Sequence, residues 1–185
     1  MQVRPYRASD KEALRAICRE TARPTFKKFP HLMRALPVIY NDYFTEQEPE
    51  HVFVLADDTD VPVGYILCAA DYEKFTRLMN TEYRRRVREE APYMTALITF
   101  YLRRLKTLRE TPAHLHIDIL PPYQRQGWGT KLVLALCDRL REEGVPALSV
   151  FDIPKSAGSY PLCTRLGFRV SHRFAGGAVN LTKKL

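Results

Sequence analysis

An apolar strand that runs through a proline turn into two glycines and then a long amphipathic helix constrains this chain more than any other feature. Residues 115–130 read LHIDILPPYQRQGWGT. Backbone N–H groups at a helix start lack intrahelical acceptors, and the helix dipole there favours negative charge. Gln124, Arg125, Gln126, Gly127, Trp128, Gly129 and Thr130 are therefore placed to wrap a pyrophosphate. Glycine at 127 and 129 would let a ligand approach the backbone closely. Two other phosphate motifs fit badly. A Walker A loop needs four residues between its glycines, whereas Trp128 alone separates Gly127 from Gly129. A dinucleotide fingerprint needs a third glycine where Leu132 stands.

The rest of the chain reads as alternating strands and helices. Residues 3–6 form a short strand, and Ser9 or Asp10 caps a helix with Leu14, Ile17 and Cys18 on one face. A second helical region covers 31–44, with Pro37 interrupting or kinking it. Residues 52–56 and 63–69 are β-rich runs joined by the Asp57-Asp58-Thr59-Asp60 turn, a hairpin. Residues 72–110 are helical throughout, a long insertion before the central strand at 115–120. The helix opened by the glycine turn carries Leu132, Leu136 and Leu140 at helical spacing and stops at Gly144. A strand at 147–151, a short helix at 159–166 and a hairpin across Gly176-Gly177 close the chain. The expected fold class is α/β: a mixed, mostly antiparallel central sheet flanked by helices, in a single domain spanning 1–185.

The glycine turn resembles the Q/R-x-x-G-x-G/A signature of the GNAT N-acetyltransferases. Ile117-Asp118-Ile119-Leu120-Pro121 resembles that family's strand, and Arg165-Leu166-Gly167-Phe168 its closing motif. Within the family the chain is similar to the acetyltransferase-like domains of O-GlcNAc hydrolases and their free-standing bacterial relatives. The blocks that carry this are 48–55, 63–66 and 114–121, together with the helical insertion. The resemblance implies the GNAT fold, with acetyl-coenzyme A as co-substrate and an amine, on a small molecule or a protein, as acceptor. It also implies that backbone amides at Ile119 and Leu120 bind the thioester carbonyl, and that the pantetheine arm lies where the central strand splays from its neighbour.

Strand alternation puts His114, His116 and Asp118 on one face of that strand, so Asp118 or His116 is the candidate base, acting directly or through water. Two positions depart from the family's pattern. Ser156 stands where an Asn usually bonds the pantetheine, and Cys163 stands where a Tyr usually protonates the sulfur. Cys163 could donate a proton or simply fill the core, and Tyr160 lies one turn earlier. These departures keep a second function open: a coenzyme A-binding or partner-binding module without turnover.

Charge and cysteines narrow the remaining classes. The formal net charge of +8 suits a polyanionic cofactor as well as nucleic acid, and no aromatic-basic recognition motif points to the latter. Much of the basic charge lies in the insertion, interleaved with acids as on a solvated helix face. The four cysteines form no C-x-x-C pair and read as reduced core thiols. His114-x-His116-x-Asp118 superficially matches a metal-hydrolase ligand run, but Ile119 follows where another ligand is usual, so no metal is expected. No segment reaches the roughly 20 apolar residues that span a bilayer, so a soluble, cytoplasmic protein is expected, with which a homodimer is compatible.

Overall fold

The computed structural model describes residues 1–111 and 113–185. Its organising element is a seven-stranded sheet built from β1 (Gln2–Pro5), β2 (Phe53–Ala56), β3 (Pro62–Ala69), β4 (Ala113–Ile119), β5 (Ala147–Pro154), β6 (Arg169–Arg173) and β7 (Ala178–Lys184). The order is β1-β2-β3-β4-β5-β7-β6. Only β4 and β5 run parallel; every other neighbouring pair is antiparallel. The β2–β3 hairpin turns as its acidic cluster requires: Asp57 accepts from the Thr59 and Val61 N–H groups, and Asp60 takes a left-handed conformation.

The period-2 alternation of the strands divides the apolar residues between two cores. Tyr65, Leu67 and Ala69 of β3 face α1 (Lys11–Thr21), α3 (Pro30–Pro37), α4 (Tyr43–Gln47) and the insertion. Ile66 and Cys68 face the opposite side, with Leu132, Leu136 and Leu140 of α8 (Trp128–Glu142) and Phe168. Two short elements, α2 (Pro24–Lys27) and α9 (Ser159–Arg165), complete the helical layers on their respective sides. The helical region around Pro37 is not broken. Its chain continues through a π-turn at Val38–Asp42 directly after the proline, which absorbs the missing N–H and bulky ring in a wider loop.

The insertion consists of α5 (Tyr72–Leu78), a second π-turn at Met79–Tyr83, α6 (Arg84–Glu90) and α7 (Thr95–Leu105). Its basic run is not uniformly a solvated face. Arg86 turns inward and pairs with Asp42 at 2.8 Å and Glu46 at 2.7 Å, and the Tyr83 hydroxyl donates to Glu46 at 2.8 Å. Burial would raise the Glu46 carboxyl, but hydrogen bonds from Arg86, Lys11 and Tyr83 hold it at about 2. Arg84 is tied to Asn80 and Thr99, while exposed Arg85 reaches only Glu89 on its own helix. The insertion is thereby anchored to the π-turn at Val38–Asp42 and to α4. All four cysteines are free and buried, as their spacing predicts.

Candidate active site

The site begins where two parallel strands part. Pairing between β4 and β5 covers Ala113↔Leu148, His114↔Ser149 and Leu115↔Val150 and goes no further, while β4 continues on β3 as far as Ile119. On the other side, the β5–β7 register shifts between Val150 and Ile153, and Asp152 adopts φ 51° within that bulge. Arg104 from α7 pairs with Asp152 at 2.7 Å and lies 3.7 Å over the Phe174 ring. Asn180 accepts the Asp152 N–H at 3.0 Å and donates to Thr107 at 2.7 Å. The bulge and the insertion therefore hold each other in place beside the gap.

The ladder geometry corrects one expectation about the backbone donors. The Leu120 N–H donates to the Val63 carbonyl at 2.9 Å, so it points into the sheet and is not available to a thioester. Because amides alternate sides along an antiparallel strand, those of Ile117 and Ile119 face the gap instead. The Ile119 carbonyl on that edge is already used, accepting from the Gln124 side-chain amide at 2.7 Å.

The glycine turn forms as read, with its parts in different roles. None of the N–H groups from Arg125 to Gly129 donates to a backbone carbonyl among the described residues, whereas Thr130 donates back to Gly127 at 3.1 Å. Gly127 caps α8 at φ 84°, and a Cβ there would meet open space, so the backbone is bare on its outer side. Arg125 is also left-handed, at φ 62°. Gln126 bonds the Pro122 carbonyl at 2.9 Å and stiffens the turn. At Gly129 a Cβ would stand 2.9 Å from the Cδ2 methyl group of Leu162, so this glycine also lets α8 and α9 approach. Trp128 is half-buried against the core, with the Lys131 ammonium 4.0 Å from its ring centroid. Ser156 is exposed in the turn between β5 and α9.

Cys163 does not reach the gap. It is fully buried in the apolar core shared with α8, and burial pushes its thiol up to about 12. The expectation that it could act as an acid is corrected. A small residue at this position fills the core, and its single-carbon side chain ends there. Tyr160 is half-buried at the edge of the same core.

The polar wall of β4 is where the titratable groups converge. Asp118 Oδ2 lies 3.0 Å from His116 Nε2 and accepts from the Tyr65 hydroxyl at 2.7 Å. Tyr65 is wholly buried, and that burial together with the Asp118 charge holds its phenol well above the ordinary range, so it stays a donor. The His116 ring stacks on Tyr40, with centroids 5.8 Å apart. Its side chain is 35% exposed and that of Asp118 23%. Both line a cleft of about 430 Å³, together with residues of α1, α7 and β5. Tyr65 and Tyr40 carried no sequence signal as site residues, since only the β3–β4 register and the π-turn bring them to this wall. Among the described residues no cluster of three or more potential metal ligands exists. No helix among them is long and apolar enough to cross a membrane.

A sheet whose one parallel pair opens beside a glycine-capped helix narrows the class of fold, and the sequence agrees. The acetyltransferase (GNAT) family profile matches residues 14–168, and the chain belongs to that family. Among solved structures, SsHAT is similar over 99% of this chain and 97% of its own, at 28% identity and a TM-score of 0.86. The Drosophila melanogaster polyamine N-acetyltransferase, an enzyme that forms N-acetylagmatine, matches at 17% identity, covering 100% and 99% of the two chains, with a TM-score of 0.62. The PaiA N-acetyltransferase of Thermoplasma acidophilum in complex with coenzyme A matches at 13% identity over 100% and 98%, with a TM-score of 0.60. The last two show likeness of fold alone. Among curated proteins none matches the chain in sequence.

Proposed function

We propose that this protein transfers an acetyl group from acetyl-coenzyme A directly to an amine. The observation that carries the reading is the opened edge of β4, which leaves backbone donors unpaired next to the glycine turn and sets the His116–Asp118 pair in the cleft wall. The amides of residues 125–129 would hold the pyrophosphate, with Gly127 allowing close approach. The pantetheine arm would run along the free edge of β4, and the Ile119 N–H would polarise the thioester carbonyl. Gln124 and Gln126 shape this cradle through their side chains. Holding both substrates in one cleft supplies much of the rate.

His116 is the proposed base, because it is the more exposed member of the pair and stands in the cleft wall. Asp118 orients the ring and favours the imidazolium that forms. The amine forms the new C–N bond as the C–S bond breaks. Its proton passes to His116, and the departing thiolate takes a proton from water, since Cys163 is out of reach. The finer kinship with the acetyltransferase-like domains of O-GlcNAc hydrolases rests on residues 48–55 and 114–121 and on the helical insertion.

The burial of Cys163 favours one second reading, a coenzyme A-binding module without turnover. Calorimetry with acetyl-coenzyme A and thiol release over a panel of amines separate the two. Binding with amine-dependent thiol release is expected; binding without release for any amine leaves the module, and no binding at millimolar concentration removes both.

A further inference from the structure

The polar atoms of the cleft wall are used unequally. Asp118 gives one oxygen, Oδ2, to both of its donors: the Tyr65 hydroxyl at 2.7 Å and His116 Nε2 at 3.0 Å. Its other oxygen, Oδ1, accepts no hydrogen bond among the described residues and stays open to solvent. The second ring nitrogen of His116, Nδ1, is likewise unbonded among them and open. A carboxylate can only accept, so Nε2 carries the proton of the neutral ring and Nδ1 keeps the lone pair. Two unused acceptors therefore stand on neighbouring side chains of one strand face, and both residues line the cleft. Tyr65 decides which oxygen is left over: it is wholly buried and sits directly opposite Asp118 in the β3–β4 ladder.

A primary ammonium matches this pair. It offers three N–H donors and a full charge, so one donor can go to Oδ1 and another to Nδ1, whereas a hydroxyl has a single donor and no charge. Alkylamines are protonated near neutral pH, with a reference pKa of about 10.4 for the lysine ammonium. An acceptor of that class must be held as a cation and lose a proton before it can attack. The rest of the cleft accommodates one such group. Besides Asp118, the charged side chains in its wall are Asp152, which Arg104 holds at 2.7 Å, and Arg23, itself a cation. A second ammonium would leave water for a wall with no carboxylate free of a guanidinium. Towards α3 and α7 the wall is instead apolar and aromatic, with Leu36, Tyr40, Leu97 and Tyr101.

We propose, resting on the acetyl-transfer reading above, that Asp118 Oδ1 and His116 Nδ1 form a receptor for the ammonium of a primary monoamine with an apolar body, and that Tyr65 positions the carboxylate for it. The bound ammonium gives one proton to Nδ1, which passes it to water. The neutral nitrogen then attacks the thioester carbon. As the C–N bond forms and the C–S bond breaks, the second amine proton goes to Nδ1 and on to water, and water protonates the thiolate, so one proton is released overall.

The test is calorimetry of the protein saturated with coenzyme A, titrated with phenethylamine, its neutral counterpart 2-phenylethanol, and spermidine. Phenethylamine is expected to bind at least about tenfold more tightly than the alcohol, the size of one charge-assisted contact, and more tightly than spermidine. Asp118→Asn should bring amine and alcohol to within about threefold of each other by weakening the amine alone. Tyr65→Phe should narrow the gap by about threefold or more with the alcohol unchanged, since a loss of structure would weaken both ligands alike. Equal binding of amine and alcohol, or a gap that survives Asp118→Asn, overturns the receptor, and tighter binding of spermidine overturns the monoamine. A Tyr65→Phe protein that weakens both ligands alike, or neither, overturns the positioning role. Thiol release from acetyl-coenzyme A keeps the two readings apart. Release while amine and alcohol bind equally removes the receptor and leaves acetyl transfer standing; a gap that follows the variants without release from any amine does the reverse.

Discussion

The two halves of β4 have similar sequence patterns and opposite fates. Below Leu115 the strand is paired on both edges and fully buried; above it, pairing survives on one edge only and every residue is partly exposed. His114 and His116 make the contrast sharp, because they sit on the same face two residues apart. His114 is 1% exposed and meets the Phe75 ring edge-on at 4.6 Å, in a packed aromatic cluster. His116 stands in the cleft wall with Asp118 as its partner. Where the strands remain paired, an imidazole is part of the core. Where they part, the same side chain meets solvent, bare amides and space for two substrates.

The largest expected effect separates these two histidines by rate. His116→Ala should lower kcat by about a hundredfold or more, the usual loss for a general base, with acetyl-coenzyme A affinity unchanged by calorimetry. A near-wild-type rate would shift the base to Asp118 and dissolve the contrast. His114→Ala should instead cost about 2–4 kcal/mol of stability, as expected for emptying a packed aromatic site, with kcat retained by the folded fraction. Denaturant unfolding and active-site titration of the same preparation distinguish the two outcomes.

Smaller effects extend the comparison to the opposite face of the sheet, where α8 and α9 pack. Gly129→Val should destabilise by about 1–3 kcal/mol through overpacking against Leu162, and adding Leu162→Ala should return part of that loss. Loss of acetyl-coenzyme A binding without any change in melting temperature would instead mean that this glycine faces the ligand. The smallest change is expected from Cys163→Ala: at most about 1 kcal/mol in stability and no change in kcat, since the thiol touches core and not cleft. A folded but inactive Cys163→Ala protein would show that the thiol reaches the sulfur in solution after all.

Much of the fold was legible because it rests on local rules. The acidic turn at 57–60, the helix start after the glycine turn and the 3.6-residue spacing of Leu132, Leu136 and Leu140 are each decided within a few residues of chain. The alternation of β4 correctly put His116 and Asp118 on one face for the same reason. Gly129 and Cys163 show where local rules stop. Both occupy positions where a linear motif implies contact with the cofactor, yet each is decided by what packs against it from α8 or α9. The direction of the Leu120 amide is not set locally either, because it depends on which residue of β3 it meets, and Val63 meets it.

The sequence alone determined the order of elements, the glycine turn that opens α8 and the pair of candidate bases, because periodicity, capping and alternation act over short distances along the chain. Only the tertiary structure decided which edge of β4 lies open, that Tyr65 and Tyr40 support the His116–Asp118 pair, and that Arg104 pairs with Asp152. These depend on strand register and on how the insertion docks, both set by contacts between residues far apart in sequence, and neither leaves a period or spacing that a single chain can show.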